Sequence, residues 1–132
     1  MDDEPHWSFV ATSVVILICG LLLWPRNPIH GAVVVVSGAV SCAYWRCPTE
    51  GMMSPMLGLD VLCALTAFVV LCLTSTFTHV QKQVVCATVC MYVLSWVLAL
   101  AANGATRVQR CVHFGGHLLV IALLSMLLAK PA

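Results

Sequence analysis

The chain is expected to fold as an all-α membrane protein, a bundle of five transmembrane helices with no soluble domain. Three observations lead there. Of the 132 residues, 61% are apolar and only 8% charged, whereas an average soluble domain carries about 25% charged residues. The mean hydropathy is +1.02. The few charges divide the sequence into five apolar blocks, each of about 17 to 23 residues, close to the ~20 that a helix needs to cross ~30 Å of hydrocarbon. Helices satisfy their own backbone hydrogen bonds inside lipid, and short open strands do not. The blocks are also far longer than the ~10-residue alternating segments of a membrane barrel.

The first helix is expected over Trp7–Trp24, behind the acids Asp2, Asp3 and Glu4. A signal peptide has a basic leader and a small-residue cleavage site. Here the leader is acidic and Trp24-Pro25-Arg26 follows the block, so it reads as a mature helix. The same acids argue against an Arg-rich transit peptide. Pro25-Arg26-Asn27-Pro28 cannot continue a helix, and the chain turns there. The second helix, Ile29–Trp45, is thin, with Gly31, Ala32, Ser37, Gly38, Ala39 and Ser41. Small residues four apart, such as Ser37 with Ser41 and Gly38 with Cys42, let helix backbones approach closely in lipid. Arg46–Gly51 forms the second turn and Pro55–Phe77 the third helix. Thr78–Gln83 is the third turn, Val84–Ala102 the fourth helix, Asn103–Arg110 the fourth turn and Val112–Ala129 the fifth helix. Links this short set consecutive helices side by side and antiparallel. Residues 1–132 thus form a single transmembrane domain, with its termini on opposite sides of the membrane. Most of the surface of so small a bundle faces lipid or neighbours, which suits a subunit of a larger assembly.

One side carries the N-terminus and the second and fourth turns, with Arg46, Arg107 and Arg110 against Asp2, Asp3, Glu4 and Glu50. The other carries Arg26, Lys82 and Lys130 with no acid. Lys and Arg are equal in number on the two sides, so the positive-inside rule does not decide. The acid-free side, near His30 and His79, is assigned to the inner face. Trp7, Trp24 and Trp45 mark block ends, as interfacial aromatic anchors do. Trp96 lies inside the fourth helix and is read as packing. Most of the eight cysteines sit in apolar blocks without CxxC spacing, where Cys acts as a small apolar residue rather than a disulfide or metal ligand.

Asp60 is the only acid within an apolar block. A carboxylate at membrane depth is costly and tends to be functional. The alternative places it about one turn inside the helix, within headgroup reach, where it favours the N-terminal dipole. His113 and His117 are four apart and share a helix face. A metal or haem site there would need ligands from elsewhere, and the simpler expectation is an interfacial pair bonded to water, headgroups or a neighbour. Arg107 and Arg110 are expected to meet lipid phosphates or a partner's acids. Gly115-Gly116 is read as close helix packing. A glycine-rich nucleotide loop, a catalytic triad and paired carboxylates are absent from the sequence, and nothing in it suggests nucleic-acid binding.

Two strings are more specific than hydropathy. Arg26-Asn27-Pro28-Ile29-His30-Gly31 leads into the small-residue helix. About 26 residues later, Leu57-Gly58-Leu59-Asp60-Val61-Leu62-Cys63-Ala64 opens the third. Over roughly residues 8–75 this resembles subunit 6 of NADH–ubiquinone oxidoreductase, respiratory complex I. That family has an N-P-V-H-S-like turn before helix two and an L-G-x-[DE]-F-L-A-like start to helix three. The resemblance implies a multi-pass subunit of the mitochondrial inner membrane, or of a bacterial plasma membrane, with no active site of its own. It implies a role in coupling quinone reduction to proton translocation. Asp60 would be the proton-path group, and Asn27, Pro28 and His30 would shape a matrix-side turn. It further implies that this chain binds no cofactor itself, while the assembly uses NADH, FMN, iron–sulfur clusters and ubiquinone. Partners would be other transmembrane subunits and membrane lipids. The family's V-Y-V-G-A-like run, associated with a π-bulge, is replaced here by Ala67-Phe68-Val69-Val70-Leu71-Cys72. A local irregularity is still expected at Val69, Val70, Leu71 and Cys72. Two alternatives stand beside this reading. One is a structural accessory subunit of another respiratory complex or ATP synthase. The other is a haem-bearing membrane anchor or small transporter protomer using His113 or His117.

Overall fold

A computed structural model describes residues 7–46, 55–102 and 107–130. The described residues form five α-helices: α1 (Trp7–Leu23), α2 (Pro28–Arg46), α3 (Pro55–Thr74), α4 (His79–Ala102) and α5 (Arg107–Ala129). No strand occurs among them. The acids Asp2, Asp3, Glu4 and Glu50, the residue Cys47 and much of the second and fourth turns lie outside the described residues. By length and composition α2, α5 and the His79–Ala101 stretch of α4 are able to cross a membrane; α1 and Gly58–Thr74 are shorter apolar helices. The 17 residues of α1 rise about 25 Å, somewhat less than the ~30 Å hydrocarbon core.

Local chemistry sets the helix ends, and it moves two of the expected starts. Pro28 takes the first position of α2, where its missing N–H is not needed. Asn27 caps that helix, its Oδ1 accepting from the backbone N–H of His30 at 3.2 Å. α4 begins at His79 rather than Val84 because Thr78 and Gln81 form a reciprocal capping box. The Thr78 N–H donates to Gln81 Oε1 at 3.0 Å, and the Gln81 N–H donates to Thr78 Oγ1 at 3.2 Å. α5 begins at Arg107 rather than Val112, which brings Gln109 into the bundle. α3 ends at Thr74, three residues before the expected Phe77.

The irregularity expected at Val69, Val70, Leu71 and Cys72 is not seen; α3 is α-helical through all four. Kinks and bulges generally have a cause such as Pro, Gly pairs or an inserted polar group, and this stretch contains neither Pro nor Gly.

α1 packs between α2 and α5; α3 packs on the far side of α2, and α4 on the far side of α5. α3 and α4 share little contact although a short link joins them. They face each other mainly through side chains, as with the Phe68 and Tyr92 rings at 6.3 Å. The α1–α2 contact is close because glycines face backbone: a Cβ on Gly38 would lie 2.8 Å from Leu17 N, and one on Gly20 would lie 2.7 Å from Val35 N. This is the approach that the small residues of α2 imply. Gly116 sits under the Tyr92 ring, 3.3 Å from where a Cβ would be, so the glycine pair of α5 does serve helix packing.

The radial distribution of polarity is inverted relative to a water-soluble bundle. Ser13, Ser41, Asp60, Thr88, Ser95, Gln109, His113 and His117 are buried, while Ile18, Leu21, Leu22, Val36, Leu62, Leu73, Val93, Leu94 and Val97 are exposed. An outer surface of this kind is stable against acyl chains and costly against water. Ile16, Val34, Phe68, Leu71, Leu123 and Leu124 fill the apolar part of the interior.

Candidate functional site: a buried aspartate–histidine cluster

The polar interior is concentrated toward the end of the bundle where α1, α3 and α5 begin and α2 and α4 finish. Asp60 comes from the first part of α3, Ser95 from the later part of α4, and Gln109, His113 and His117 from successive turns of α5. Residues 109, 113 and 117 recur every four positions, so they line one face of α5. That face is turned inward, and all three side chains are buried.

Asp60 is 3% exposed and His113 is fully buried. This places the carboxyl in the interior of the helix bundle. Asp60 Oδ2 and His113 Nε2 face each other at 3.6 Å, and neither atom has a hydrogen-bond partner among the described residues. The separation is just beyond hydrogen-bond range, a spacing closed by a small side-chain shift or a bridging water.

The other imidazole nitrogen is held. His113 Nδ1 meets Ser95 Oγ at 3.0 Å, and Gln109 Nε2 donates to the same oxygen at 2.8 Å. With Ser95 Oγ accepting from Gln109, its own O–H is available to His113 Nδ1. In that arrangement the neutral ring carries its proton on Nε2, toward Asp60. His117 lies one turn deeper, its ring centroid 5.0 Å from that of His113. Its Nδ1 meets Thr12 Oγ1 at 2.8 Å, and the Thr12 hydroxyl donates to the backbone carbonyls of Ser8 at 3.1 Å and Phe9 at 3.0 Å. Thr12 then accepts from His117 Nδ1, leaving Nε2 of that ring as the proton acceptor.

Aromatic rings close the site. Phe9 stacks on Trp45 with centroids 3.9 Å apart, and Trp45 and Tyr92 lie 5.2 Å and 5.1 Å from His113. A cavity of about 30 Å³ adjoins the cluster, bordered by Ser37, Ser41, Asp60, Tyr92 and His117 together with apolar side chains such as Phe68 and Leu71. A water needs only ~10–15 Å³ of such space together with polar partners, so the cavity can hold a water between Asp60 and His117.

Several sequence-based expectations change here. Trp45 is not an interfacial anchor but part of the wall, 1% exposed. Trp7 and Trp24 are exposed, and so is Trp96, which lies on the outer surface rather than in the packing. His113 and His117 are interior groups rather than an interfacial pair. Asn27, Pro28 and His30 are brought together at the opposite end, where His30 Nε2 meets Thr74 Oγ1 at 2.6 Å and Ser75 Oγ at 3.1 Å. They make no part of the Asp60 cluster. Ser95 and Gln109 were not singled out from sequence; the available signal was the four-residue spacing of Gln109, His113 and His117. Among the described residues no group of three or more His, Cys, Asp or Glu side chains is placed to hold a metal ion, and the seven described cysteines are free thiols.

Comparison of the chain with protein-family models, with curated proteins and with solved structures gives no match.

Proposed function

We propose that this chain is a five-span membrane subunit whose interior hands protons between Asp60, His113 and His117. The reading extends to a membrane-arm subunit of the complex I type, in the mitochondrial inner membrane or a bacterial plasma membrane. It would hold no redox centre, and other transmembrane chains would continue the path. The observation that carries the proton role is the pair of buried, unbonded atoms, Asp60 Oδ2 and His113 Nε2, facing each other at 3.6 Å. Ionisable groups at membrane depth are costly to keep unless used. Imidazole and carboxyl are both groups that accept and donate protons. The adjoining cavity extends the route toward His117. The five-span topology is supported by the interior polar groups, which come from all five helices and so tie α1 and α3 to the three helices long and apolar enough to span. Placement in a complex I-type assembly rests on the Asn27-Pro28-Ile29-His30 turn and on Asp60 opening α3 in the position that the resemblance gives it.

A second reading is favoured by one observation. α3 stays regular through Val69–Cys72, with Val70 and Cys72 where subunit 6 proteins have tyrosine and glycine. A structural accessory subunit of another respiratory complex or ATP synthase needs no switch there. Purification of the tagged chain from native membranes, followed by identification of its companions, separates the two. Complex I membrane-arm subunits are the expected companions. Recovery with ATP synthase or another respiratory complex would replace the first reading with the second, and recovery alone would contradict both.

A further inference from the structure

The end of the bundle opposite the Asp60 cluster carries a second constellation. Here α1 and α5 finish, α2 begins, and Ser75 and Thr76 follow α3. A cleft of about 410 Å³ opens between them, lined by Arg26, Asn27, His30, Ser75, Thr76 and Lys130 over a floor of Leu23 and Leu127. That size is ordinary for a small-molecule site.

The two cations are positioned. Arg26 Nη1 donates to the backbone carbonyls of Leu128 at 2.7 Å and Lys130 at 2.9 Å. This fixes the guanidinium against the end of α5 and leaves Nη2 and Nε as donors. Lys130 Nζ reaches the Thr76 carbonyl at 3.4 Å, which holds the ammonium at the cleft rim. His30 sits at the back, bonded to Thr74 and Ser75 through Nε2. Among the described residues no acidic side chain lines the cleft. The result is a basic rim with hydroxyl and amide donors above a buried leucine floor, at a membrane edge if the chain spans as proposed.

We infer that this cleft binds a phosphate group, supplied by the headgroup of an anionic phospholipid. Arg offers a planar fork to phosphate oxygens and Lys a point charge, and the leucine floor suits the first carbons of a lipid's glycerol and acyl portion. The inference rests on the membrane reading but not on the proton role of Asp60. Insolubility without detergent checks the membrane reading separately.

The test uses the full chain purified in a neutral detergent, with lipid retention read by native mass spectrometry. Phosphatidylglycerol is titrated against phosphatidylcholine, for the wild type and for K130Q, R26Q and K82Q. Lys82 is exposed on α4 and does not line the cleft, so K82Q reports non-specific attraction. Wild type is expected to retain phosphatidylglycerol in preference to phosphatidylcholine. K130Q and R26Q are each expected to weaken retention about five-fold, the scale of one basic group meeting a lipid phosphate, with K82Q unchanged. Because Arg26 also holds the last carbonyls of α5, K130Q decides the matter if R26Q does not fold. Inorganic phosphate is the competing probe. Retention that millimolar phosphate does not displace supports the lipid source, and displacement overturns it in favour of a free anion. Equal retention by wild type and K130Q, or an equal loss in K82Q, would overturn the site itself.

Discussion

Asp60 stands out in the sequence because it is a lone acid in an apolar block, and the fold places it against His113 at 3.6 Å. Its partner was harder to read. A histidine four residues from another suggests a shared face, but whether that face turns inward depends on how α5 packs against α1 and α4. Ser95 had no sequence signal at all, since a serine in an apolar helix is unremarkable in lipid. In the structure it joins two buried groups, accepting from Gln109 and meeting His113 Nδ1. Ser95→Ala would leave both without that partner. Leaving a buried polar group unsatisfied costs ~1–3 kcal/mol, so thermal unfolding in detergent should begin at a clearly lower temperature for Ser95→Ala. An unchanged transition would mean that Ser95 does not hold the imidazole.

At the scale of helices, hydropathy located all five elements, and capping chemistry explains the misplaced start of α4. Thr78 and Gln81 spell a capping box, but the apolar block that follows begins only at Val84, so a reading by hydropathy starts α4 too late. α5 likewise begins among polar residues, Arg107 to Arg110, that a hydropathy boundary assigns to a turn. The small residues of α2 were legible, and Gly38 proves to be one of the points where the α1 backbone comes close. Gly38→Val would force its side chain into Leu17 N, 2.8 Å from the Cβ position. Overpacking of this kind costs ~1–3 kcal/mol. The expected result is a destabilised chain in which a crosslink engineered between α1 and α2 forms less efficiently; undiminished crosslinking would show that the helices do not need the close approach. The expected irregularity in α3 is absent, and the helix runs regularly through Val69–Cys72. That expectation came from a resemblance to sequences with tyrosine and glycine at positions that here are Val70 and Cys72, and nothing local replaces their effect on the helix.

Across the whole molecule, the inverted distribution of polarity is the feature that sequence composition foretold best. Composition indicates that the outside is apolar; only the packing shows that the polar residues meet inside, at one end, beside a cavity. Three helices satisfy a spanning length on their own, and the proposal of five spans adds α1 and α3 because they pack with those three around one interior. Tags at the two ends of the chain should therefore be protected from protease on opposite sides of sealed vesicles. Protection on the same side would reduce the number of crossings to an even one. The proton role is tested most directly with Asp60→Asn in the native assembly, purified and reconstituted into liposomes, with proton uptake and assembly followed together. Loss of a positioned proton carrier typically costs at least ~100-fold in the step it serves, so the variant should assemble while coupled proton uptake collapses. Normal uptake by a fully assembled Asp60→Asn protein would contradict the account.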